Sequence, residues 1–411
     1  MATLAWLALL GATCLVAVPA LVFVAECIAA VLPRRQAVAS TGGVRPPVAI
    51  VIPAHDEELG ISVTVQNVLE QMKPGDRLLV VADNCTDATA ARAHEAGAEV
   101  VERNDPIHRG KGFALDFGVT RLCDQPPAAI VFIDADCTLL EGALDKIARL
   151  AIETGRPVQA SYLIQTRGDQ KIAFGIPEFA FLVKNHVRPR GLLNLGLPCQ
   201  LTGSGMAMPW EMAAHIRHAG AAVVEDMKLG LDLAAAGHFP IFCEDAGVRS
   251  YFPESADGAA TQRERWEGGH LGMLASGLRR LADTRTLSMP YAAMVLDVMV
   301  PPLAFLVLLV AALTGLSALA ALFGIGLLPL ALNAGLVAAL TGSILLAWSS
   351  FGRQVLPARS LLSAPRYAFG KIALYGRILL DGPERTWVRT ARGDSRDEVL
   401  PMITSQPSRL D

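Results

Sequence analysis

The sequence has few charged residues and no excess of either sign. Only 18% of its 411 residues are Asp, Glu, Lys or Arg, whereas typical soluble proteins carry about 25%. The formal net charge is -3, so nothing in the composition suggests a nucleic-acid partner, which would require a basic surface. Hydrophobic residues make up 52% of the chain. This composition is typical of a protein that is partly embedded in a membrane.

Patterns typical of metal-binding and disulfide-rich proteins are also missing. The seven cysteines are scattered without a CxxC pair or a Cys/His spacing that would suit zinc, and the eight histidines include no HExxH pair. We therefore expect free thiols in a reducing compartment and histidines with surface or structural roles.

Three apolar runs lie near the two ends of the chain. Residues 4–32 contain a single charged side chain, Glu26, and residues 298–322 and 327–348 contain none. Each run reaches the ~20 residues needed to cross a bilayer. They predict a transmembrane helix within residues 1–33 and a transmembrane hairpin within residues 294–350.

A cleaved leader is the alternative interpretation of the first run. No basic residue precedes it, and it is too long for the apolar part of a signal peptide. Arg34 and Arg35 follow this run, and basic residues also follow the third run, from Arg353 onward. Because basic residues favour the cytoplasmic side, we expect a multi-pass protein of the inner (plasma) membrane whose region 45–285 is cytoplasmic.

The segment after the hairpin has a different character. Residues 357–391 intersperse basic residues with apolar ones, which predicts an amphipathic segment at the membrane surface. Residues 392–411 are mostly polar and are predicted to form a disordered tail.

Short apolar runs alternate with helical segments in the first part of the middle region. The predicted strands are residues 48–52, 77–82, 98–102 and 128–133. Such alternation predicts an α/β fold with a parallel, doubly wound sheet. Polar residues follow three of these strands: Glu57, Asp83 and the pair Asp134 and Asp136. Since the carboxyl ends of parallel strands share one edge, we expect these acids to converge.

Asp134-Ala135-Asp136 is the sharpest of these features. Alternate residues of an extended segment share a face, so both carboxylates can bind one divalent cation that also holds phosphates. The alternative is a solvated acidic turn at the end of a strand.

Three further motifs follow downstream. Gly203-Ser204 allows a close approach of the backbone to a ligand, and Glu225-Asp226 begins a predicted helix. Gln262-x-x-Arg265-Trp266 lies at the start of an amphipathic helix. Two structural alternatives stay open: the acids can favour the helix dipole, and Trp266 can anchor a helix at the bilayer surface.

This ordered set resembles the family 2 glycosyltransferases, and most closely their membrane β-glycan synthase branch, which includes cellulose, chitin, hyaluronan and poly-N-acetylglucosamine synthases. The resemblance covers about residues 45–275 and includes the flanking apolar runs. It implies a GT-A domain, the Rossmann-like fold of nucleotide-diphospho-sugar transferases, between transmembrane helices.

The resemblance also implies a role for each candidate residue. Asp226 would be the general base, and Asp136 with Asp134 would bind Mg²⁺ or Mn²⁺. The donor nucleotide would contact Pro53, Ala54, Glu57, Asp83, Lys111 and Asp134. The acceptor and the diphosphate would contact Gln262, Arg265, Trp266, Gly203 and Ser204. Gly110-Lys111-Gly112 lacks the spacing of a Walker phosphate loop, so a solvated lysine stays an equal alternative there.

The implied activity is inverting transfer of a hexosyl or N-acetylhexosaminyl group. The donor would be a UDP-sugar and the acceptor a glycan or lipid-linked molecule, joined through a β-linkage in exopolysaccharide or cell-envelope glycan synthesis. The predicted spans are fewer than in cellulose-synthase-like enzymes. A channel built from one copy is therefore not expected, and an export partner subunit or a short product stays open.

Two other functions fit the sequence less well. A nucleotidyltransferase of similar fold would have a glycine-rich loop after its first strand, and Pro53 to Glu57 is not such a loop. A catalytically inactive, membrane-anchored nucleotide-sugar-binding subunit would not need both Asp226 and the Gln262–Trp266 motif.

Overall fold

The computed structural model describes residues 2–33, 43–166, 171–216, 225–253, 256–283 and 288–382. The predictions made for Arg34, Arg35 and residues 383–411 lie outside the described residues.

A mixed sheet of eight strands forms the centre of the middle region. The strands are β1 (Ala49–Ala54), β2 (Arg77–Asp83), β3 (Glu99–Arg103), β4 (Ala129–Phe132), β5 (Thr138–Leu139), β6 (Val158–Gln165), β7 (Met206–Pro209) and β8 (Ile241–Tyr251). Their spatial order is β3-β2-β1-β4-β7-β6-β8-β5. The predicted α/β class with a Rossmann-like sheet is therefore confirmed.

The strand directions correct one detail of the prediction. Strands β3, β2, β1 and β4 are parallel to one another, as expected. Strand β7, however, is inserted between β4 and β6 and is antiparallel to both, and β5 is antiparallel to β8. The sheet is mixed because the chain leaves it after β6 and returns between two existing strands in the opposite direction.

Helices cover both faces of the sheet. They are α2 (Ile61–Leu69), α3 (Thr89–Glu95), α4 (Lys111–Arg121), α5 (Ala143–Thr154), α6 (Lys171–Leu182), α7 (Arg188–Asn194), α8 (Trp210–Ala213), α9 (Glu225–Ala235) and α10 (Ala256–Ala282). Side chains alternate along β1: Ile50 packs in the core with α2 and α5, whereas Val51 packs in the core with α4. Gly118 permits the close packing of α4, because a Cβ there would lie 2.8 Å from Val51.

Three helices are long and apolar enough to cross a membrane: Ala2–Ala30, Leu303–Leu322 and Leu328–Gly352. The first two are α1 and α12, and the third comprises α13 (Leu328–Ala347) and a π-helical turn. Asn333 joins all three, because its amide donates hydrogen bonds to Thr13 Oγ1 (2.9 Å) and Ser317 Oγ (3.1 Å). A shorter apolar helix, α11 (Met289–Met299), precedes α12 and packs against α9 and α10.

A buried ion-pair triad ties α1 to the sheet domain. Arg188, at the start of α7, donates to Glu26 of α1 and to Asp297 of α11, each at 2.5 Å. The helices also cross closely, since a Cβ on Gly191 would overlap the backbone carbonyl of Glu26. The N-terminal helix is therefore part of the folded core.

Three short helices follow the last candidate span: α14 (Ala358–Leu361), α15 (Ala364–Gly370) and α16 (Ile372–Asp381). They expose apolar side chains such as Phe369 and Leu380. Between α15 and α16, Lys371 forms an ion pair with Glu267 of α10. This ion pair connects the segment to the helix that carries the Gln262–Trp266 motif, and a role at the membrane surface stays a prediction.

Candidate active site

One cleft of about 920 Å³ extends from the carboxyl edge of the sheet to the candidate membrane helices. Among the predicted site residues, those that line it are Pro53, Ala54, Glu57, Asp83, Lys111, Asp134, Asp136, Gly203, Asp226, Gln262, Arg265 and Trp266. Ser204 does not line it. This serine is buried beneath the cleft, where its Oγ accepts a 3.1 Å hydrogen bond from the backbone N–H of Asp134.

The two aspartates after β4 are fixed by their neighbours. The bond to Ser204 holds the backbone of Asp134, and the Ser250 hydroxyl on β8 donates to Asp136 Oδ2 at 3.2 Å. Burial holds the pKa of Asp134 above its ordinary value, and the neighbouring carboxylates of Asp136 and Asp226 add to this effect while Lys111 opposes it. The pair is thus an anionic group held in a fixed place.

The donor atoms of this pair suit a hard divalent cation. Oxygens of Asp134 and Asp136 lie within 4.8 Å of each other and of Cys137 Sγ. Burial, together with Asp136 and Asp134, raises the pKa of the Cys137 thiol, which disfavours the thiolate form that binds metals. Two carboxylates then remain, which is the ligand set that Mg²⁺ takes alongside substrate phosphates.

Lys111 sits at the first turn of α4 and reaches into the same place. Its ammonium forms an ion pair with Asp134 and donates a 2.7 Å hydrogen bond to the carbonyl oxygen of Gly203. Burial alone would lower the pKa of Lys111, but Asp134, Glu225 and Asp226 outweigh burial and raise it. The lysine is therefore a permanent cation between the carboxylates.

Gly203 lies between Lys111 and Asp226. Its φ of +88° is in the left-handed region, and a Cβ there would lie 3.2 Å from both Lys111 Nζ and Asp226 Oδ2. Asp226 is in the first turn of α9, where its Oδ1 accepts a 2.8 Å bond from the N–H of Met227. Next to it, burial raises the pKa of Glu225 to about 7, with Lys111 opposing and Asp226 reinforcing the shift.

The other end of the sheet edge forms the predicted nucleotide pocket. Asp83 is buried at the end of β2, where its Oδ1 accepts bonds from Arg103 (2.5 Å) and Asn84 (3.0 Å). The imidazole of His55 donates to the backbone carbonyl of Asp83 at 2.6 Å. The loop that includes Glu57 is held through a 2.7 Å bond from its N–H to Thr89 Oγ1. This end offers fixed polar groups around an open space.

The Gln262–Trp266 motif faces the cleft from α10. The Trp266 ring packs against Phe181, with 5.6 Å between centroids and an angle of 41° between planes. Gln262 is buried, and its Oε1 has no hydrogen-bond partner in the described parts of the chain. Arg265 also lines the cleft. The motif therefore presents an aromatic ring, a cation and an amide oxygen.

Comparison with known proteins settles the family. A family model described as "Glycosyltransferase like family 2" matches residues 46–269, which is more than half of the chain. The chain belongs to the family 2-like glycosyltransferases. This agrees with the predicted resemblance at the level of the family, while the β-glycan synthase branch stays a prediction. No curated protein matches the sequence.

Solved structures agree with this glycosyltransferase fold. A mannosyltransferase from Pyrobaculum calidifontis, in complex with GDP-Man and Mn²⁺, is 19% identical, with a TM-score of 0.57 over 93% of this chain and 99% of that one.

Two further matches are weaker. Glucosyl-3-phosphoglycerate synthase from Mycobacterium tuberculosis, in complex with Mg²⁺ and uridine-diphosphate, is 21% identical over 50% of this chain and 70% of that chain, with a TM-score of 0.34. Mannosyl-3-phosphoglycerate synthase from Rubrobacter xylanophilus is 19% identical over 60% and 78%, with a TM-score of 0.39. Both scores are too low to support an argument.

Several lining or supporting residues of this glycosyltransferase were not predicted from the sequence. Arg103 and Ser250 orient predicted acids from β3 and β8, and Lys184 and Asn185 line the cleft from a π-helical turn, Val183–Val187, between α6 and α7. Only Lys184 could have been noticed, as a cation within an apolar helical run.

Proposed function

We propose that this protein is a membrane-anchored, inverting glycosyltransferase that transfers a hexosyl or N-acetylhexosaminyl group from a UDP-sugar and forms a β-linkage. The acceptor would be a glycan or a lipid-linked molecule of the cell envelope. One observation carries the proposal: Asp226 and Lys111 flank Gly203 in the same cleft as the Asp134–Asp136 pair. A base, a cation and a metal-binding pair are thus within reach of one substrate.

Asp226 is the proposed general base. As the acceptor hydroxyl attacks the anomeric carbon, its proton passes to the Asp226 carboxylate. A new C–O bond forms on the face opposite the departing diphosphate. The old bond breaks with its electron pair on the diphosphate, and the anomeric configuration inverts.

The leaving diphosphate gains negative charge as this bond breaks. Lys111 and Arg265 are the proposed cations that bind it, since charge-assisted hydrogen bonds from lysine and arginine to phosphate are strong. Asp134 and Asp136 would hold Mg²⁺ or Mn²⁺, which when bound supplies further neutralisation of the phosphate charge. Asp83, with the loop from Pro53 to Glu57, would contact the nucleotide.

The membrane arrangement is part of the proposal. Three spans with the sheet domain on the cytoplasmic side would give the cleft access to the sugar nucleotides made there. Basic side chains such as Arg353 and Arg359, which follow the last candidate span, support this orientation. The inner (plasma) membrane is the proposed location. Whether an export partner subunit takes part depends on the length of the product.

The test uses the full chain purified in detergent with Mn²⁺ or Mg²⁺. UDP-glucose, UDP-N-acetylglucosamine and GDP-mannose are supplied separately, and release of the nucleoside diphosphate is followed. We expect turnover with a UDP-sugar and a loss of about 10²-fold or more in Asp226→Asn and in Asp136→Ala. Asp124→Asn, which changes an exposed acid that does not line the cleft, is the control.

Three results would contradict parts of the proposal. Turnover that persists in Asp226→Asn refutes the assigned base. Turnover with GDP-mannose alone refutes the UDP-sugar donor. Calorimetric binding of UDP without turnover of any sugar nucleotide favours an inactive binding subunit instead.

A further inference from the structure

Several side chains that line the cleft have a buried polar atom without a partner. Among these atoms are Asn185 Oδ1, Gln200 Oε1, Thr202 Oγ1 and Gln262 Oε1, and none of the four has a hydrogen-bond partner within the described residues. All four side chains line the cleft. Asn185 and Gln262 are only 4% and 7% exposed. Leaving a buried acceptor unpaired is costly, so several such atoms together indicate a place built for a ligand.

The chemistry of these atoms restricts that ligand. The three amide oxygens can only accept hydrogen bonds, and the Thr202 hydroxyl can accept as well as donate. The orientation of Gln200 is fixed, because its Nε2 donates to the Met294 carbonyl at 2.8 Å and leaves Oε1 unpaired. A ligand that satisfies this set must bring several O–H or N–H donors. A sugar or polyol supplies them on neighbouring carbons.

Lys184 adds a donor to the same wall of the cleft. Burial lowers its pKa, although Asp226 acts in the opposite direction. One hydroxyl of the ligand can accept a hydrogen bond from the Lys184 ammonium and donate its own hydrogen to Asn185 Oδ1. Both residues belong to the π-helical turn Val183–Val187, an irregularity that frequently occurs at functional sites.

Apolar side chains of two candidate membrane helices also line the cleft. They are Phe23 of α1 and Leu303 and Ala304 of α12. Arg188 also lines the cleft and is bonded to Glu26 of α1. A molecule bound across both regions would have its polar part in the cleft and its apolar part beside the spans.

We propose that Asn185, Gln200, Thr202 and Gln262 form an acceptor subsite for a membrane lipid with a polyhydroxylated headgroup. The apolar lining at Phe23, Leu303 and Ala304 receives the lipid chains, and one headgroup hydroxyl faces Asp226. This inference rests on the proposed function and adds the acceptor class to it. The headgroup O–H bond breaks, its oxygen bonds to the anomeric carbon, Asp226 takes the proton, and the anomeric C–O electron pair leaves with the diphosphate.

The test compares lipid and soluble acceptors with the full chain in phosphatidylcholine vesicles. The vesicles contain a monoglycosyl diacylglycerol, or a diacylglycerol that lacks the sugar, and a soluble tetrasaccharide is supplied to a third set. The donor is a radiolabelled UDP-sugar on which the enzyme shows turnover. We expect label in the organic extract with the glycolipid, and at least tenfold less with the diacylglycerol or the tetrasaccharide.

Two variants test the named residues directly. Asn185→Leu and Thr202→Val replace unpaired polar groups with apolar ones of similar size, so the melting temperature should stay equal or rise. Each should raise the KM for the glycolipid about 3- to 10-fold, the effect of one lost hydrogen bond, with an unchanged KM for the donor. Gln125→Leu, at an exposed position, is the matched control.

The outcomes separate this inference from the proposed function. Label that enters only the soluble tetrasaccharide, with UDP released normally, overturns the lipid subsite and leaves the glycosyltransferase assignment intact. An unchanged glycolipid KM in both variants overturns the residue assignment. Failure to consume any sugar nucleotide, with or without lipid, overturns the proposed function and this inference together.

Discussion

The ammonium of Lys111 forms an ion pair with Asp134, the first carboxylate of the pair that can bind a divalent cation. Lys111 and a bound divalent cation would therefore compete for the carboxylate of Asp134. A donor diphosphate would relieve this competition, because its oxygens give Lys111 another anionic partner. Metal binding and nucleotide binding should accordingly be coupled.

Lys111→Met tests this coupling. Without the lysine, Asp134 loses its cationic partner, so the affinity for Mn²⁺ in the absence of nucleotide should rise severalfold, while the KM for the donor sugar nucleotide should rise as well. Calorimetric titration with Mn²⁺ measures the first effect and steady-state UDP release the second. A Mn²⁺ affinity that is unchanged would show that the ion pair does not compete with the metal.

Gly203→Ala tests the spacing between Lys111 and Asp226. The new methyl group would lie 3.2 Å from both charged groups, on a backbone with φ of +88°. We expect kcat for UDP release to fall at least tenfold. Gly237→Ala is a matched control, because Gly237 has a φ of +90° and open space around its Cβ position. Equal losses in both variants would assign the effect to backbone strain rather than to the site.

Glu225 should make stability depend on pH. Burial raises its pKa from 4.5 to about 7 in the folded chain, so the folded state holds a proton that the unfolded state has lost between these values. Stability should therefore decrease as pH rises from 4.5 to about 7 and stay level above it.

The measurement is the melting temperature in detergent with EDTA across this pH range. Glu225→Gln has no titrating carboxyl at this position, so its melting temperature should not show the decrease with rising pH that the wild-type chain shows. Glu211→Gln, at an exposed position on the rim of the cleft, is the control. Parallel pH profiles of wild-type and Glu225→Gln would contradict the prediction.

The buried triad should be sensitive to the loss of its cation. Arg188→Met leaves Glu26 and Asp297 buried without a partner, and breaking such an ion pair costs about 3–5 kcal/mol. We expect a clear fall in melting temperature, largely restored when Glu26→Gln and Asp297→Asn are added. Arg377→Met removes an exposed pair with Glu264 and should cost about 0–1 kcal/mol. A comparable fall in both single variants would argue against a special role for the triad.

Much of the fold could be predicted from the sequence because the decisive strands are uninterrupted apolar runs. Strands β1 to β4 lie within two residues of the predicted bounds. The polar residues at their carboxyl ends identified Asp83, Asp134 and Asp136 as candidate site residues. Strand β7 was missed because Met206–Pro209 is too short to show alternation. Strand β8 (Ile241–Tyr251) is hard to recognise as one strand because Glu244 and Asp245 interrupt its apolar pattern.

The site was harder to predict where residues act through three-dimensional contacts alone. The motif residues could be named from their order, but the pairing of Lys111 with Asp134 brings together positions 23 residues apart on different elements. Asn185 and Gln200 are unremarkable amides in the sequence. Their importance depends on burial without a partner, which only the packed structure reveals.

The triad at Arg188 has a consequence for how the molecule is divided. Two residues of α1 take part in the structure of the sheet domain. Glu26 accepts a buried hydrogen bond from Arg188, and Phe23 lines the cleft. Helix α1 is therefore both a candidate membrane span and a structural part of the sheet domain. A chain that lacks α1 would lose a side chain that lines the cleft and a buried partner of Arg188.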